Sequence, residues 1–216
     1  MVGPVNRSIG RRKTKTLATR RRLLQAAETL FVRDGYAATT IAVIAEEADV
    51  AVQTVYAVFG TKRAILTELL AVRVVGDDED TPLRDRQEWQ EMEQETDPRR
   101  QLALLASIAT RIGNRMAALY GVLAAAAGSD PEIAEVYRRQ QQVRYRDQRR
   151  VARSLSRKGA LRAGLSEARA ADIMWAVANP NTHRALIRER EWPSEEYERW
   201  LAHVLACSLL HERFSQ

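Results

Sequence analysis

The sequence predicts an all-α protein, a three-helix head joined to a larger helical body. Apolar residues recur at three- and four-residue spacing through almost every segment. Strand-like alternation is absent, and glycines are few, ten in 216 residues.

The first helix is expected from Thr16 to Arg33, where Leu23, Leu24, Ala27, Leu30 and Phe31 form one apolar stripe. Gly35 stands where a helix C-cap glycine belongs. Thr39 and Thr40 offer hydroxyls to cap a second helix, whose inner face is Ile41, Ile44, Ala45 and Ala48. Asp49-Val50 makes a short turn, a third helix covers about Val52–Val58, and Gly60-Thr61 breaks it before a fourth begins at Lys62. The polar run 76–82 separates head from body. The body opens with a short helix around Trp89. Asp97-Pro98 and Asp130-Pro131 then start two long helices, to Ala127 and to about Lys158, since proline suits the first helical position. Ser166 caps a helix containing Trp175, Pro180 interrupts, and Ser194 caps the last helix. Three regions result: a basic arm over 1–15, a head over 16–75 and a body over 76–216.

Charge narrows the function. The net charge is +6, yet Arg7, Arg11, Arg12, Lys13, Lys15, Arg20, Arg21 and Arg22 stand among the first 22 residues without one acid. The rest holds 26 basic against 28 acidic residues. Basicity concentrated in an arm suits a polyanion. Residues 77–97 carry ten acids against Arg84 and Arg86, a face that avoids DNA. No apolar run reaches the roughly 18 residues of a membrane span, and the N-terminus lacks a secretory signal's apolar core. With one cysteine, Cys207, a reducing cytoplasm is the expected location. No nucleophile elbow, phosphate-cradling glycine loop or metal-ligand spacing is present, so no enzyme and no cofactor are expected. His203, Cys207 and His211 share a stripe, but no carboxylate–histidine spacing accompanies them and no metal is expected.

The segment TTIAVIAEEADVAVQTVYAVFGTK, 39–62, has the spacing of a helix-turn-helix. Its second helix would enter the major groove of double-stranded DNA. Ala51, Val52, Gln53 and Thr54 are small or short enough for close approach. Gln53 suits adenine, while Ala51, Val52 and the Thr54 methyl suit thymine methyls. Tyr56, Lys62 and Thr40 are placed for phosphate, and Arg11, Arg12 and Lys13 for the adjacent minor groove.

At these residues the chain resembles the tetracycline-repressor (TetR) family. The resemblance rests on LFVRDGYAATT followed by IAVIAEEADVAVQTVYAVFGTKRAIL, with Thr54-Val55-Tyr56, Phe59 and Lys62 in place. Two positions depart from it: Asp49 replaces the usual turn glycine, and Val58 stands where the family often has His or Tyr before the Phe. The resemblance implies a homodimer on a pseudo-palindromic operator and a body that binds an effector and dimerises.

Trp89, Met92, Leu105, Ile108, Met116, Tyr120, Tyr137 and Trp175 are candidate linings of a pocket for a small hydrophobic or aromatic effector, with packed core as the alternative for each. Tyr197, Trp200, Leu201, Val204, Leu205, Ser208 and Leu209 are candidate dimer contacts, with an intrachain core face as the alternative. Two other functions stay open: a DNA-packaging protein without sequence choice, and a regulator whose body only dimerises.

Overall fold

A computed structural model describes the backbone of residues 5–76 and 82–214, and the side chains of 16–76, 82–212 and 214. Every named element is helical: α1 (Val5–Asp34), α2 (Ile41–Glu47), α3 (Val52–Phe59), α4 (Lys62–Val75), α5 (Gln87–Gln94), α6 (Pro98–Ala127), α7 (Pro131–Arg157), α8 (Glu167–Val177), α9 (Pro180–Arg184) and α10 (Ser194–Leu209). The chain divides into two compact units, residues 1–71 with 121–134, and residues 72–120 with 135–216.

In the first unit, Leu23, Ala27, Leu30 and Phe31 of α1 are fully buried, with Ile44 of α2, Val55 of α3, and Ile65, Leu66 and Leu70 of α4. Each large side chain so buried contributes about 1.5–3 kcal/mol. The turns between these helices follow local chemistry. Gly35 takes φ +84°, and its N–H bonds Phe31 O at 3.1 Å, closing α1. Thr40 is extended, and its hydroxyl accepts from Val43 N–H at 3.2 Å, opening α2.

The second unit surrounds one apolar cluster. It joins Trp89 and Met92 of α5, Leu102, Leu105 and Ile108 of α6, Val151 and Leu155 of α7, Met174 of α8, and Tyr197, Leu201, Leu205 and Leu209 of α10. Within this unit α6 and α7 run antiparallel: Gln101 donates to Ser154 Oγ at 3.2 Å, and the Tyr120 and Tyr137 hydroxyls lie 3.0 Å apart. Gln101 is wholly buried, so its amide needs partners. It donates also to Met92 O at 3.0 Å and accepts from Lys158 Nζ at 2.7 Å. An isolated antiparallel bridge, Leu161 with Leu210, fastens the end of α10 to the segment after α7.

Three expectations are corrected. The first helix begins at Val5 rather than Thr16, so from Val5 onward the expected arm is continuous with α1. Arginine and lysine are good helix formers, and no proline follows Pro4 there. Ser194 is the first helical residue rather than the cap. Pro193 holds the cap position, and the serine hydroxyl accepts instead from Asn114 Nδ2 at 3.1 Å. Tyr197, Leu201, Leu205 and Leu209, expected at a dimer interface, belong to the core of their own chain. They leave no more than 2% of their surface for a second copy.

Candidate nucleic-acid interface

The helix-turn-helix is set by three anchors. Asp49 adopts φ +50°, a left-handed conformation that aspartate tolerates better than most residues. Arg22 reaches from α1 to donate to Ala48 O at 2.8 Å and Asp49 O at 3.0 Å, holding the turn from outside. Val55 is wholly buried and fixes which face of α3 points inward. Gln53, Tyr56 and Ala51 are therefore exposed, and Val52 and Thr54 half-buried. Tyr56 leaves 53% of its surface open, so its hydroxyl is presented to solvent rather than to the core. Thr40 is exposed at the start of α2 while its hydroxyl caps that helix. Phe59 is half-buried beneath the guanidinium of Arg20, 5.3 Å from its ring centre, and Arg20 also pairs with Glu68. The side chains of Arg11, Arg12 and Lys13 lie outside those described.

Lys62 differs from the expectation of a phosphate contact. Its ammonium donates to Tyr36 O at 2.7 Å and Thr39 O at 2.8 Å, and lies 4.2 Å from the centre of the Tyr36 ring. Carbonyls left over after the end of α1 attract it more closely than solvent does. It binds the start of α4 to the loop before α2, and its burial lowers its pKa below the ordinary lysine value. The same loop holds Tyr36, whose phenol burial pushes up to about 12, with the carboxylates of Asp130 and Glu132 adding to the effect.

The candidate effector residues fall in three places. Trp89, Met92, Leu105 and Ile108 join the apolar cluster of the second unit. Met116 and Tyr120 are buried further along α6. Tyr120 meets Tyr137 and accepts from Gln141 Nε2, and its pKa is raised chiefly by burial. Trp175 lies apart from these: it is 36% exposed, with the Arg144 guanidinium 4.8 Å from its ring centre. It lines a separate cleft of about 560 Å³ together with Gln141, Gln142, Tyr145, Asp172 and Ala176.

Three polar residues, His183, Asn114 and Gln148, were given no role by the sequence. His183 is 98% buried and its Nε2 lies 3.0 Å from Asn114 Oδ1. Burial and the nearby Arg188 charge hold its pKa below the usual histidine value. Gln148 is buried and donates to Met174 O at 3.4 Å. Gly113-Asn114 carried a signal, being two poor helix formers in the middle of a long apolar helix. Among the described residues, no group of three or more His, Cys, Asp or Glu is placed to hold a metal. His203 and Cys207 approach to 3.5 Å on the exposed side of α10. No described helix is long and apolar enough to cross a membrane.

No curated protein matches the chain. Among solved structures, SmeT in complex with triclosan superposes with TM-score 0.72 at 20% identity, covering 91% of this chain and 94% of that one. SmeT is the repressor of the Stenotrophomonas maltophilia multidrug efflux pump SmeDEF. NalD, the secondary repressor of the MexAB-OprM multidrug efflux pump in Pseudomonas aeruginosa, gives 0.68 at 19% identity over 91% and 99% of the two chains. A Saccharomonospora viridis protein in complex with choline gives 0.67 at 20% identity over 89% and 98%. Identities this low establish a shared fold, a helix-turn-helix head with a larger helical body. The head carries more, because residues 23–69 match the family described as bacterial regulatory proteins, tetR family. The head is thus similar to that family over residues 23–69, and the chain as a whole shares the fold of the solved structures above.

Proposed function

We propose that the chain is a cytoplasmic, dimeric transcriptional repressor that binds a pseudo-palindromic DNA operator and is released from it by a small, largely apolar effector. One observation carries this reading: α3 buries Val55 and turns Gln53 and Tyr56 outward beside the small residues Ala51, Val52 and Thr54. A helix whose outer face bears one amide, one phenol and otherwise small groups suits close approach to base edges. Gln53 reads a base, and Ala51, Val52 and Thr54 meet thymine methyls. Tyr56 and Thr40 take phosphates, and Arg11, Arg12 and Lys13 follow the neighbouring minor groove. Two heads on a two-fold axis meet successive major grooves, about 34 Å apart.

Pairing uses the outer side of α10, where Trp200, Val204 and Ser208 stay partly exposed. The effector enters the apolar body. Support comes from relatives of the same fold: SmeT and NalD are repressors, and structures are known with triclosan and with choline. Effector binding and DNA binding are then reciprocally coupled, typically by about 1–3 kcal/mol.

Selection of random duplex DNA by the purified chain, at near-physiological salt, tests the reading. An enriched inverted repeat is expected. Gln53→Ala should weaken the selected site by about 1–3 kcal/mol and relax choice at one base pair. Equal binding to every sequence would support a packaging protein and refute the operator reading.

A further inference from the structure

Among the described residues, three buried side-chain atoms have no hydrogen-bond partner: Nε1 of Trp89, Oε1 of Gln148 and Nδ1 of His183. All three residues lie in the second unit and border its apolar cluster. Trp89 is a member, Gln148 bonds the backbone of Met174, and His183 sets its ring edge-on to Tyr197 at 5.0 Å. Native proteins rarely leave such atoms unpaired, and each one calls for an explanation.

The bonds around His183 decide the character of its free nitrogen. Asn114 turns Oδ1 to the imidazole at 3.0 Å; its Nδ2 donates to Ser194 Oγ at 3.1 Å, and the serine hydroxyl also lies 3.4 Å from Oδ1. With Oδ1 as its partner, Nε2 is assigned the ring proton and donates it. Nδ1 is left as a bare lone pair, an acceptor with no donor. A Cβ placed on Gly113 would fall 2.5 Å from the ring Cδ2, so the imidazole fills the space that a side chain at that position of α6 would take. Gln148 presents a second acceptor, its amide N–H₂ being directed to Met174 O, and the Trp89 indole presents a donor. Among the described residues the buried polar ones are Thr39 in the first unit and Gln101, Thr110, Gln148, Ser154 and His183 in the second, with no acid among them. A cationic ligand would find no counter-charge in this core. An anion would meet two bare acceptors.

We propose that the effector site of this chain takes an uncharged, largely apolar molecule bearing an O–H or N–H donor, and that Nδ1 of His183 receives that donor. The inference rests on the reading of the body as an effector domain and specifies the chemistry of that site.

Nitrogen NMR of the full chain, labelled at histidine with ¹⁵N, tests it with phenol as probe and anisole and benzoate as controls. His183→Phe assigns the signal, and His183→Gln serves if that variant does not fold. In the native chain Nε2 of His183 is expected to carry the proton and Nδ1 to be bare. Phenol should move the Nδ1 resonance. Anisole, of similar shape without a donor, should bind about tenfold more weakly, the factor that one modest hydrogen bond represents. Benzoate should not compete. A proton on Nδ1, or equal responses to phenol and anisole, would overturn the proposal. The readout uses no DNA. A chain that selected no operator would leave a phenol response standing, and a silent Nδ1 would sink this inference with operator selection intact.

Discussion

Replacing Gly113 with alanine puts the packing of His183 to a direct test. Both Gly113 and Gly121 lie on α6. At Gly121 an added Cβ meets nothing within 4 Å, whereas at Gly113 it would lie 2.5, 2.7 and 2.8 Å from three imidazole atoms. Helix propensity favours alanine over glycine by about 0.8–1 kcal/mol at either site. Gly121→Ala should therefore stabilise by about 1 kcal/mol, a rise of about 2–4 °C in Tm for a chain of this size. At Gly113 the same gain is opposed by overpacking, which costs about 1–3 kcal/mol when a buried group must move. The net expectation is a loss of about 1 kcal/mol and a Tm about 2–4 °C below wild type. Thermal unfolding followed by circular dichroism measures both variants side by side. In a His183→Ala background the obstruction is gone, and Gly113→Ala should then stabilise as Gly121→Ala does, a coupling of about 2 kcal/mol. Two glycine replacements of equal effect in the native background would refute the contact, and with it the fixed imidazole.

Three further outcomes are expected. Asp49→Gly should raise Tm by relieving the left-handed strain at φ +50°, by at most about 1–2 kcal/mol, while Asp49→Val should lower it. Lys62→Met should destabilise by about 1.5–3 kcal/mol, the value of hydrogen bonds from a charged group, and leave unchanged the slope of DNA affinity against salt. A slope flattened by about one would return Lys62 to the phosphate contacts. His183 has a folded pKa below its ordinary value of 6.5, so the unfolded chain binds the proton first. Its stability contribution is complete above that ordinary value and declines as pH falls through it towards the depressed folded value. Thermal unfolding between pH 7.5 and 5.5 should show a decline in the native chain that is smaller in His183→Phe; parallel curves would exclude His183 as its source.

How far the sequence could be read depended on the range of the interaction. Gly35, Thr40, Pro98, Pro131 and Ser166 act on backbone groups a few residues away, and each stands at the helix end it was expected to mark. The outward face of α3 was legible for the same reason, since one buried valine orients a short helix. Interactions across long stretches of chain were not. Lys62 finds its carbonyls 23 to 26 residues back, and no local pattern distinguishes that from a lysine left for phosphate. Trp175 looks like core until Arg144, 31 residues away, is seen bonding its carbonyl and covering its ring at the surface. On α10 both the buried face and the partly exposed face carry large apolar residues. Periodicity identifies a stripe but not the surface that covers it. The body candidates were scattered in the same way: apolar spacing marks burial and says nothing about which buried residues meet. What the chain hid best was polar, an asparagine and a histidine 69 residues apart that meet at 3.0 Å.

The make-up of the first unit bears on engineering. Its residues come from 1–71 and again from 121–134, and Arg63 pairs with Glu132 at 3.0 Å across that interval of sequence. A hybrid regulator made by a single cut near residue 75 would graft a foreign stretch into the transplanted head. Exchange of DNA specificity between such proteins is better made by moving the recognition surface alone, or by carrying both segments as a set with the intervening helix ends matched in length. A screen of chimeras would then separate at that design choice, before any question of what α3 contacts.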